Sequence, residues 1–408
     1  MDRPSRLSHP LDPGRPELLA GLLADLEELV ACESPSDDRA AVARSAEVLA
    51  GIGQRRLGTA PERIVLDGRT HLRWRFGDGP ARVLLLGHHD TVWPIGSLAG
   101  NPFVVDGEVL RGPGCFDMKA GVVQALHAVA ALPDRAGVTL LVTGDEELGS
   151  PTSRELIEQE AAVCVAALVL EASADGGALK TERKGVSLYR VRVSGRAAHA
   201  GLEPEAGINS TVELAYQVLA VSALADPALG TTVVPTRMTA GTTTNTVPAV
   251  GEFAVDVRAR TTAEQKRVDD ALRGLTPVLP GARLTIEGGP NRPPLEAAAS
   301  DALFGRAVAI AGELGLPPLA RAAVGGASDG NFTAGIGTPT LDGLGAVGGG
   351  AHAANEHVVI AELPRRAALV AALTAALLAD PAPHDVAAPS AWAGGGVGRA
   401  TSERPSHD

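Results

Sequence analysis

Residues 84–92 read LLLGHHDTV, and this stretch decides the fold. Its apolar run is typical of a buried β-strand, and polar residues follow at the carboxyl end of that strand. Side chains two residues apart share one face of a strand, so His88 and Asp90 face one way and His89 faces the other. This arrangement suits a metal ligand, His88, whose ring is oriented by the carboxylate of Asp90. Taken alone, the motif is explained equally well by a strand end with a solvated polar cluster.

Two further apolar runs, 138–142 and 166–170, follow in the chain. Helical patterns at 119–132 and 153–160 separate the three runs. Strands with continuous apolar sequence that alternate with helices predict an α/β fold, with a mostly parallel sheet covered by helices. Ligand-binding groups in such sheets collect beyond the carboxyl ends of the strands.

The pattern changes near residue 184. Alternating strands are predicted at 186–193 and 252–257, with helices at 209–223 and 262–272, which indicates an inserted two-layer α+β domain. A chain of 408 residues is also long enough for two domains. The predicted organisation is a mobile arm (1–14), the first part of the α/β catalytic domain (15–183), the insert (184–293), the second part of the catalytic domain (294–379) and a disordered tail (380–408).

Composition excludes several classes of partner. The net charge is −12 and no Lys/Arg cluster is present, which argues against a nucleic-acid partner. No run of 18 apolar residues occurs and the amino terminus lacks the apolar core of a signal peptide, so we expect a cytoplasmic protein with no membrane partner. Three widely spaced cysteines indicate neither a disulfide framework nor a CxxC metal site.

Acidic residues or histidines follow each strand of the predicted sheet and occur in two loops. They are His88, Asp90, Asp117, Asp145, Glu146, Glu147, Glu171 and, in a glycine-rich loop, His352. Two histidines with three carboxylates suit Zn²⁺ or a similar divalent ion, or a pair of ions. A pair of ions needs a carboxylate that bridges them and a base for the water that they share. Of the neighbouring residues Glu146 and Glu147, one can bind an ion while the other takes the proton from that water. Any one of these acids alone is more typical of a helix cap or a solvated loop.

Five segments, in this order and spacing, resemble the zinc peptidase family of acetylornithine deacetylase, succinyl-diaminopimelate desuccinylase and glutamate carboxypeptidase: GHHDTV, RGPGCFDMKAG, TGDEELGS, LVLEA and GGGAH. The resemblance covers about residues 16–378. It implies a phosphorylase/hydrolase-like core and two metal ions, Zn²⁺ first, with Co²⁺ or Mn²⁺ as alternatives. It also implies that Asp117 bridges the ions, that Glu146 is the general base and that Asp90 orients His88. The ligands that flank the ions are then His88, Glu147, Glu171 and His352.

The insert has motifs of its own. SGRAAHAGLEPEAGINS resembles the lid or dimerisation domain of the family, which implies a homodimer in which His199 reaches the partner subunit's site and stabilises the oxyanion. The motifs TNTVP, DVR and NRPP resemble the glutamate carboxypeptidase branch. They imply that Asn245, Arg258 and Arg292 bind carboxylates of the substrate, which suits the planar fork of arginine. The alternative for Arg258 is a surface arginine at the edge of a strand, and the alternative for Arg292 is an ordinary arginine in a loop.

The resemblance implies a metal-dependent carboxypeptidase or amidohydrolase that releases a C-terminal amino acid, glutamate, from an N-acyl amino acid or a short peptide. An N-acyl amino acid deacetylase (aminoacylase) of the same family is one alternative, and a non-catalytic binding protein is another.

A serine hydrolase is a further alternative, because residues 326–330 read GASDG and Asp342 and His352 follow Ser328. It is disfavoured, since no strong apolar strand is predicted before Ser328 and the glycines after it leave little room for a helix. In the zinc family a glycine-rich segment of this type lines the substrate site, so Ser328 is expected to contact substrate. GLGAVG at 343–348 lacks the helix that a dinucleotide site requires.

Overall fold

The computed structural model describes residues 10–380. Residues 1–9 of the predicted arm and 381–408 of the predicted tail lie outside the described residues. No helix in the described part of the chain has both the length and the apolar character needed to cross a membrane.

The helices and strands are given in chain order. The segment before residue 184 forms α1 (Pro16–Ala31), α2 (Arg39–Leu57), β1 (Glu62–Leu66), β2 (Arg69–Arg75), β3 (Val83–His88), α3 (Ser97–Gly100), β4 (Val104–Asp106), β5 (Val109–Arg111), α4 (Ala120–Ala131), β6 (Val138–Thr143), α5 (Arg154–Ala162), β7 (Ala166–Val169) and β8 (Leu179–Arg183). The next segment forms β9 (Gly185–Ser194), β10 (Ala198–His199), α6 (Ser210–Ser222), β11 (Thr232–Ala240), β12 (Thr246–Val247), β13 (Val250–Ala259), α7 (Thr262–Arg273) and β14 (Arg283–Arg292). The last segment forms α8 (Ala297–Glu313), β15 (Arg321–Val324), α9 (Gly330–Gly335), β16 (Thr340–Leu341), β17 (Gly348–Gly349), β18 (His357–Val359) and α10 (Glu362–Ala379).

The main sheet has six strands in the order β1-β2-β6-β3-β7-β16. Strands β6, β3, β7 and β16 are parallel, and β2 and β1 extend the sheet with antiparallel pairing. All six residues of β3 are buried, which explains its continuous apolar sequence. The predicted α/β fold with a mostly parallel sheet is confirmed.

A second sheet is formed entirely by residues 185–292. Its four antiparallel strands have the order β11-β13-β9-β14, and α6 and α7 pack against it. In β9 buried and exposed residues alternate, as the sequence predicts for a sheet with one covered face. The prediction missed β11, which carries Pro235 and has an irregular register between Pro235 and Met238. Proline is tolerated there because β11 is an edge strand. The domain boundaries at 184 and 293 stay a prediction.

A small antiparallel sheet supports the loops beside the main sheet. Its order is β17-β18-β5-β4, so the loop between β17 and β18, which carries His352, lies against the segment that follows β5, which carries Asp117. The fold thereby brings the last glycine-rich loop to the carboxyl end of β3.

Candidate metal centre

His88 is the last residue of β3 and forms the buried side of the centre. Its Nδ1 atom lies 2.9 Å from the main-chain oxygen of Asp90, which directs the Nε2 atom away from that loop. The Nε2 atom is buried, has no hydrogen-bond partner among residues 10–380, and lies 3.5 Å from carboxylate oxygens of both Asp117 and Glu171. His88, Asp117 and Glu171 therefore form a first group of side chains whose ligand atoms lie close enough together to bind one metal ion.

His352 forms the exposed side of the centre. Its Nε2 atom lies 3.2 Å from Asp117 Oδ2 and 3.3 Å from Glu147 Oε1. The two carboxylates raise the pKa of His352 to about 10. The two carboxylates therefore create a negative electrostatic potential at this ring. The same potential favours a metal cation at this position. Asp117, Glu147 and His352 form the second group.

Asp117 belongs to both groups, with Oδ1 facing His88 and Oδ2 facing His352. Glu147 Oε1 is a second buried atom with no hydrogen-bond partner among the described residues. Unpartnered buried nitrogen and oxygen atoms, in a set of two histidines and three carboxylates, have the chemistry that Zn²⁺ requires. The residues present therefore fit two divalent ions that share one carboxylate.

The Asp90 carboxylate fixes the loop that follows β6. It accepts hydrogen bonds from the main-chain nitrogens of Glu146 and Glu147, at 3.2 Å each, and from the hydroxyl of Ser36 at 2.6 Å. Burial raises the pKa of Asp90, but the hydrogen bond and charge of His88 together with the hydrogen bond from Ser36 outweigh burial, and the net shift is downward. The carboxylate lies 3.5 Å from His88 Nδ1, so the nearer contact to the ring is the main-chain oxygen. The expected role of the Asp90 carboxylate in orienting His88 stays a prediction, and the main-chain oxygen of Asp90 shares that role.

Glu146, the predicted base, is 7% exposed and lies beside Arg292. Burial raises the pKa of Glu146 well above its ordinary value, although the Arg292 charge opposes the shift. Arg292 Nη2 lies 3.0 Å from Glu146 Oε1 and also contacts Ser150 and Asp329. Arg292 Nε is buried without a partner in the described structure. The structure thus brings Arg292 into the centre with the predicted base.

The sequence prediction missed Arg183, which contacts the ligand candidate Glu171. Its Nη2 atom lies 3.4 Å from Glu171 Oε2, and its guanidinium forms a two-point ion pair with Asp342 at 2.7 and 3.1 Å. Burial and the charge of Asp117 raise the pKa of Glu171, but His88 and Arg183 outweigh them and the net shift is downward. In the sequence Arg183 belongs to no recognised motif, and its only signal is its place at the end of β8, where buried and half-buried residues alternate.

Ser328 lies in a different environment from that of a serine nucleophile. It is fully buried, and its hydroxyl donates to Asp342 Oδ2 at 2.6 Å. The strand before Ser328, β15, has only exposed and half-buried residues, and the helix after it, α9, has six residues, so neither is the strong apolar strand or the long helix that flanks a serine nucleophile. Ser328 bonds directly to the aspartate, and the contacts of His352 are to Asp117 and Glu147. A serine–histidine–aspartate relay is not formed. The predicted contact of Ser328 with substrate stays a prediction.

His199, Asn245 and Arg258 lie in the second sheet region and not among the candidate ligands. His199 is exposed in β10, and the main-chain nitrogen of the next residue, Ala200, donates a hydrogen bond to the main-chain oxygen of Asn245 at 2.9 Å. Arg258 forms a two-point ion pair with Asp256, at 2.8 and 2.9 Å. In the described chain, the hydrogen bonds and ion pairs of these three residues reach none of the candidate ligands.

Comparison with known proteins identifies the family. Residues 84–376 match the model described as Peptidase family M20/M25/M40. Carboxypeptidase G2 of Pseudomonas sp. (strain RS-16) is 33% identical over 310 residues, which cover 73% of this chain and 74% of that protein. Succinyl-diaminopimelate desuccinylase 1 of Alteromonas mediterranea is 28% identical over 335 residues, which cover 76% of this chain and 85% of that protein.

Two solved structures share the fold. Aminopeptidase PepT from Bacillus cereus ATCC 10987 has a TM-score of 0.68 at 22% identity, and the match covers 88% of this chain and 99% of that chain. The metallo-carboxypeptidase Sso-CP2 from Sulfolobus solfataricus has a TM-score of 0.63 at 18% identity, with 89% and 99% covered. The predicted resemblance and the predicted hydrolase class are confirmed: this chain is a metal-dependent hydrolase that belongs to Peptidase family M20/M25/M40.

Proposed function

We propose that this protein is a carboxypeptidase that uses two Zn²⁺ ions to release a C-terminal glutamate from an N-acyl or peptidyl substrate. The observation that carries the proposal is the pair of ligand groups that share Asp117 and lie next to the buried carboxyl of Glu146. Similarity to Carboxypeptidase G2 and the motifs at Asn245, Arg258 and Arg292 support glutamate as the released residue.

Two bound ions would supply Lewis acidity to the scissile carbonyl and to the attacking water. The residues that would hold them are His88, Asp117, Glu147, Glu171 and His352. Glu146 takes the proton from the water, and its burial keeps the carboxyl basic enough for this step. The same carboxyl then donates the proton to the leaving amine.

Arg292 is proposed to bind the free carboxylate of the substrate. Its Nε atom is buried beside Glu146 and has no hydrogen-bond partner within the described residues, so a carboxylate held there would lie near the bond to be cleaved. A guanidinium that already contacts the base also stabilises negative charge on that base. Arg258 and Asn245 are proposed to contact the substrate from the insert, together with Ser328 from the loop before α9.

A homodimer is proposed to bring His199 to the site of the partner subunit, where it stabilises the oxyanion. Three apolar residues at helical spacing are exposed on α6: Val212 (41% exposed), Tyr216 (47%) and Leu219 (71%). The edge strand β11 exposes Val234 and Met238, and its outer edge pairs with no other strand in the part of the chain that the structure describes. An exposed apolar helix face next to a sheet edge supports association of two insert regions.

A hydrolysis screen tests the proposed function. Substrates with one acyl group and C-terminal glutamate, aspartate, alanine or lysine are assayed with chelated protein and with zinc-reloaded protein. The proposal expects zinc-dependent hydrolysis with a strong preference for glutamate. Equal hydrolysis of all four substrates would instead favour the deacylase alternative, which similarity to the desuccinylase supports. If a serine-directed phosphonate leaves the protein unlabelled, the serine hydrolase alternative is removed.

A cytoplasmic location stays a prediction.

A further inference from the structure

We infer that Glu356, which has no part in the proposed reaction, is a positioning residue for the metal centre; the inference rests on the proposed function. Glu356 is 3% exposed, and its carboxylate accepts four hydrogen bonds. One oxygen accepts from the Trp93 indole at 2.7 Å and from the Gly114 nitrogen at 2.9 Å. The other accepts from the main-chain nitrogens of Phe116 and Asp117, at 2.9 and 3.0 Å.

These bonds join three segments that carry residues of the centre. Trp93 follows Asp90 by three positions, on the loop after β3, and Asp117 is itself the shared ligand candidate. Glu356 lies four positions after His352, in the loop between β17 and β18. One carboxylate therefore links the loop that follows His88, the segment that carries Asp117 and the loop that carries His352.

The position of Asp117 is the most sensitive of these. Its two oxygens face different histidines, at 3.5 Å from His88 and 3.2 Å from His352. The main-chain nitrogen of Asp117 donates a hydrogen bond to Glu356. A change in this hydrogen bond would therefore move both carboxylate oxygens of Asp117 away from their histidines. Outer hydrogen bonds of this kind set the orientation and the affinity of metal ligands.

Glu356 suits the role because its charge is satisfied by neutral donors alone. In the part of the chain that the structure describes, Glu356 forms no ion pair with a basic residue. A buried carboxylate without a charged partner is unfavourable unless hydrogen bonds compensate it. Glutamine would keep the size of the side chain but would place an amide N–H₂ group against two of the four donors.

The test compares Glu356→Gln with Glu160→Gln, a matched change at a buried carboxylate that pairs with Arg73 and Arg75 instead. Each protein is chelated and titrated with Zn²⁺ and with Co²⁺, whose visible absorption reports the geometry of its ligands. We expect Glu356→Gln to bind the ions about 10- to 100-fold more weakly and to change the Co²⁺ spectrum. Glu160→Gln should keep the affinity and the spectrum of the wild type even where it lowers the melting temperature. Wild-type affinity and spectrum in folded Glu356→Gln would overturn the inference.

Trp93→Phe keeps the inference testable if Glu356→Gln does not fold. This variant removes one donor and leaves the carboxylate in place, so a smaller change in the same direction is expected. In that case an unchanged affinity and spectrum in Trp93→Phe would overturn the inference. A wild-type protein that binds fewer than two ions would instead contradict the proposed function, which separates the two failures.

Discussion

The carboxylate of Asp90 accepts a hydrogen bond from the main-chain nitrogen of Glu147, at 3.2 Å. Asp90 follows β3 and Glu147 follows β6, and these two strands are parallel neighbours in the main sheet. The other carboxylate oxygen of Asp90 accepts a hydrogen bond from the main-chain nitrogen of Glu146. A single buried carboxylate therefore places both the proposed base and a proposed ligand relative to His88.

Asp90→Asn tests this relationship. Asparagine has one acceptor oxygen, so one of the two main-chain N–H groups would face an N–H₂ group. We expect the affinity for zinc to fall about 10- to 100-fold, as measured by competition with a chelator of known affinity. Asp106→Asn, on the exposed strand β4, is the control and should leave the affinity unchanged. Unchanged affinity in Asp90→Asn would remove Asp90 from the supporting role.

Glu146→Gln separates the base from the ligands. Glutamine keeps the shape of the side chain but accepts no proton from water, so turnover should fall about 10²- to 10⁴-fold. Both ions should remain bound, because Glu146 belongs to neither ligand group. Turnover is measured with an N-acyl-glutamate and metal content by elemental analysis. Near-normal turnover at full metal content would show that Glu146 is not the base.

Complementation of two inactive variants tests the role of His199 across a dimer. His199→Ala and Glu146→Gln should each have low activity alone, because each lacks one part of every site. After the two proteins are mixed and allowed to exchange subunits, mixed dimers would contain one intact site, so part of the activity should return. If mixed dimers form and no activity returns, His199 does not act in the partner's site. The non-exchanged mixture is the control.

The ion-paired Asp25 gives a prediction for stability against pH. Burial raises the pKa of Asp25, but hydrogen bonds from His127 at 2.8 Å and from Arg56 at 2.6 Å outweigh burial and the net shift is downward. Because the folded-state pKa is lowered, the stabilisation is complete above the ordinary value of 3.8 and is lost as pH falls through the folded-state pKa.

Asp25→Asn should lower the free energy of unfolding by about 2 kcal/mol at pH 7, from the loss of charge-assisted hydrogen bonds. Urea unfolding at a series of pH values measures the difference between wild type and variant. The difference should be constant from pH 7 down to about pH 4 and shrink at lower pH. A difference that does not change with pH would show that the charge of Asp25 contributes nothing.

The sequence was sufficient for the parts of the fold that depend on local periodicity. The buried strand β3 and the helix α4 were predicted from their apolar patterns, and the order of strand and helix predicted the parallel sheet. The edge strand β11 was missed, because a strand that is exposed for most of its length and contains a proline has neither a period-2 pattern nor a continuous apolar run.

The supporting residues of the centre could not be predicted in the same way. Glu356 and Asp117 are 239 positions apart, and Arg183 and Asp342 are 159 positions apart, so only the folded chain shows that they are paired. The sequence pattern of an acid in a loop is the same for a solvated residue and for a buried one. Arg258 is a further example, since its motif predicts a substrate contact but does not show that its guanidinium also pairs with Asp256.

Zinc titration of the chelated protein tests the central claim most directly. Hydrolysis of an N-acyl-glutamate is measured as Zn²⁺ is added back to protein shown to be metal-free by elemental analysis. If two ions share Asp117, activity should be near zero without metal and should reach its plateau when two ions are bound per chain. Full activity in the metal-free protein, or a plateau at a single bound ion, would contradict the account.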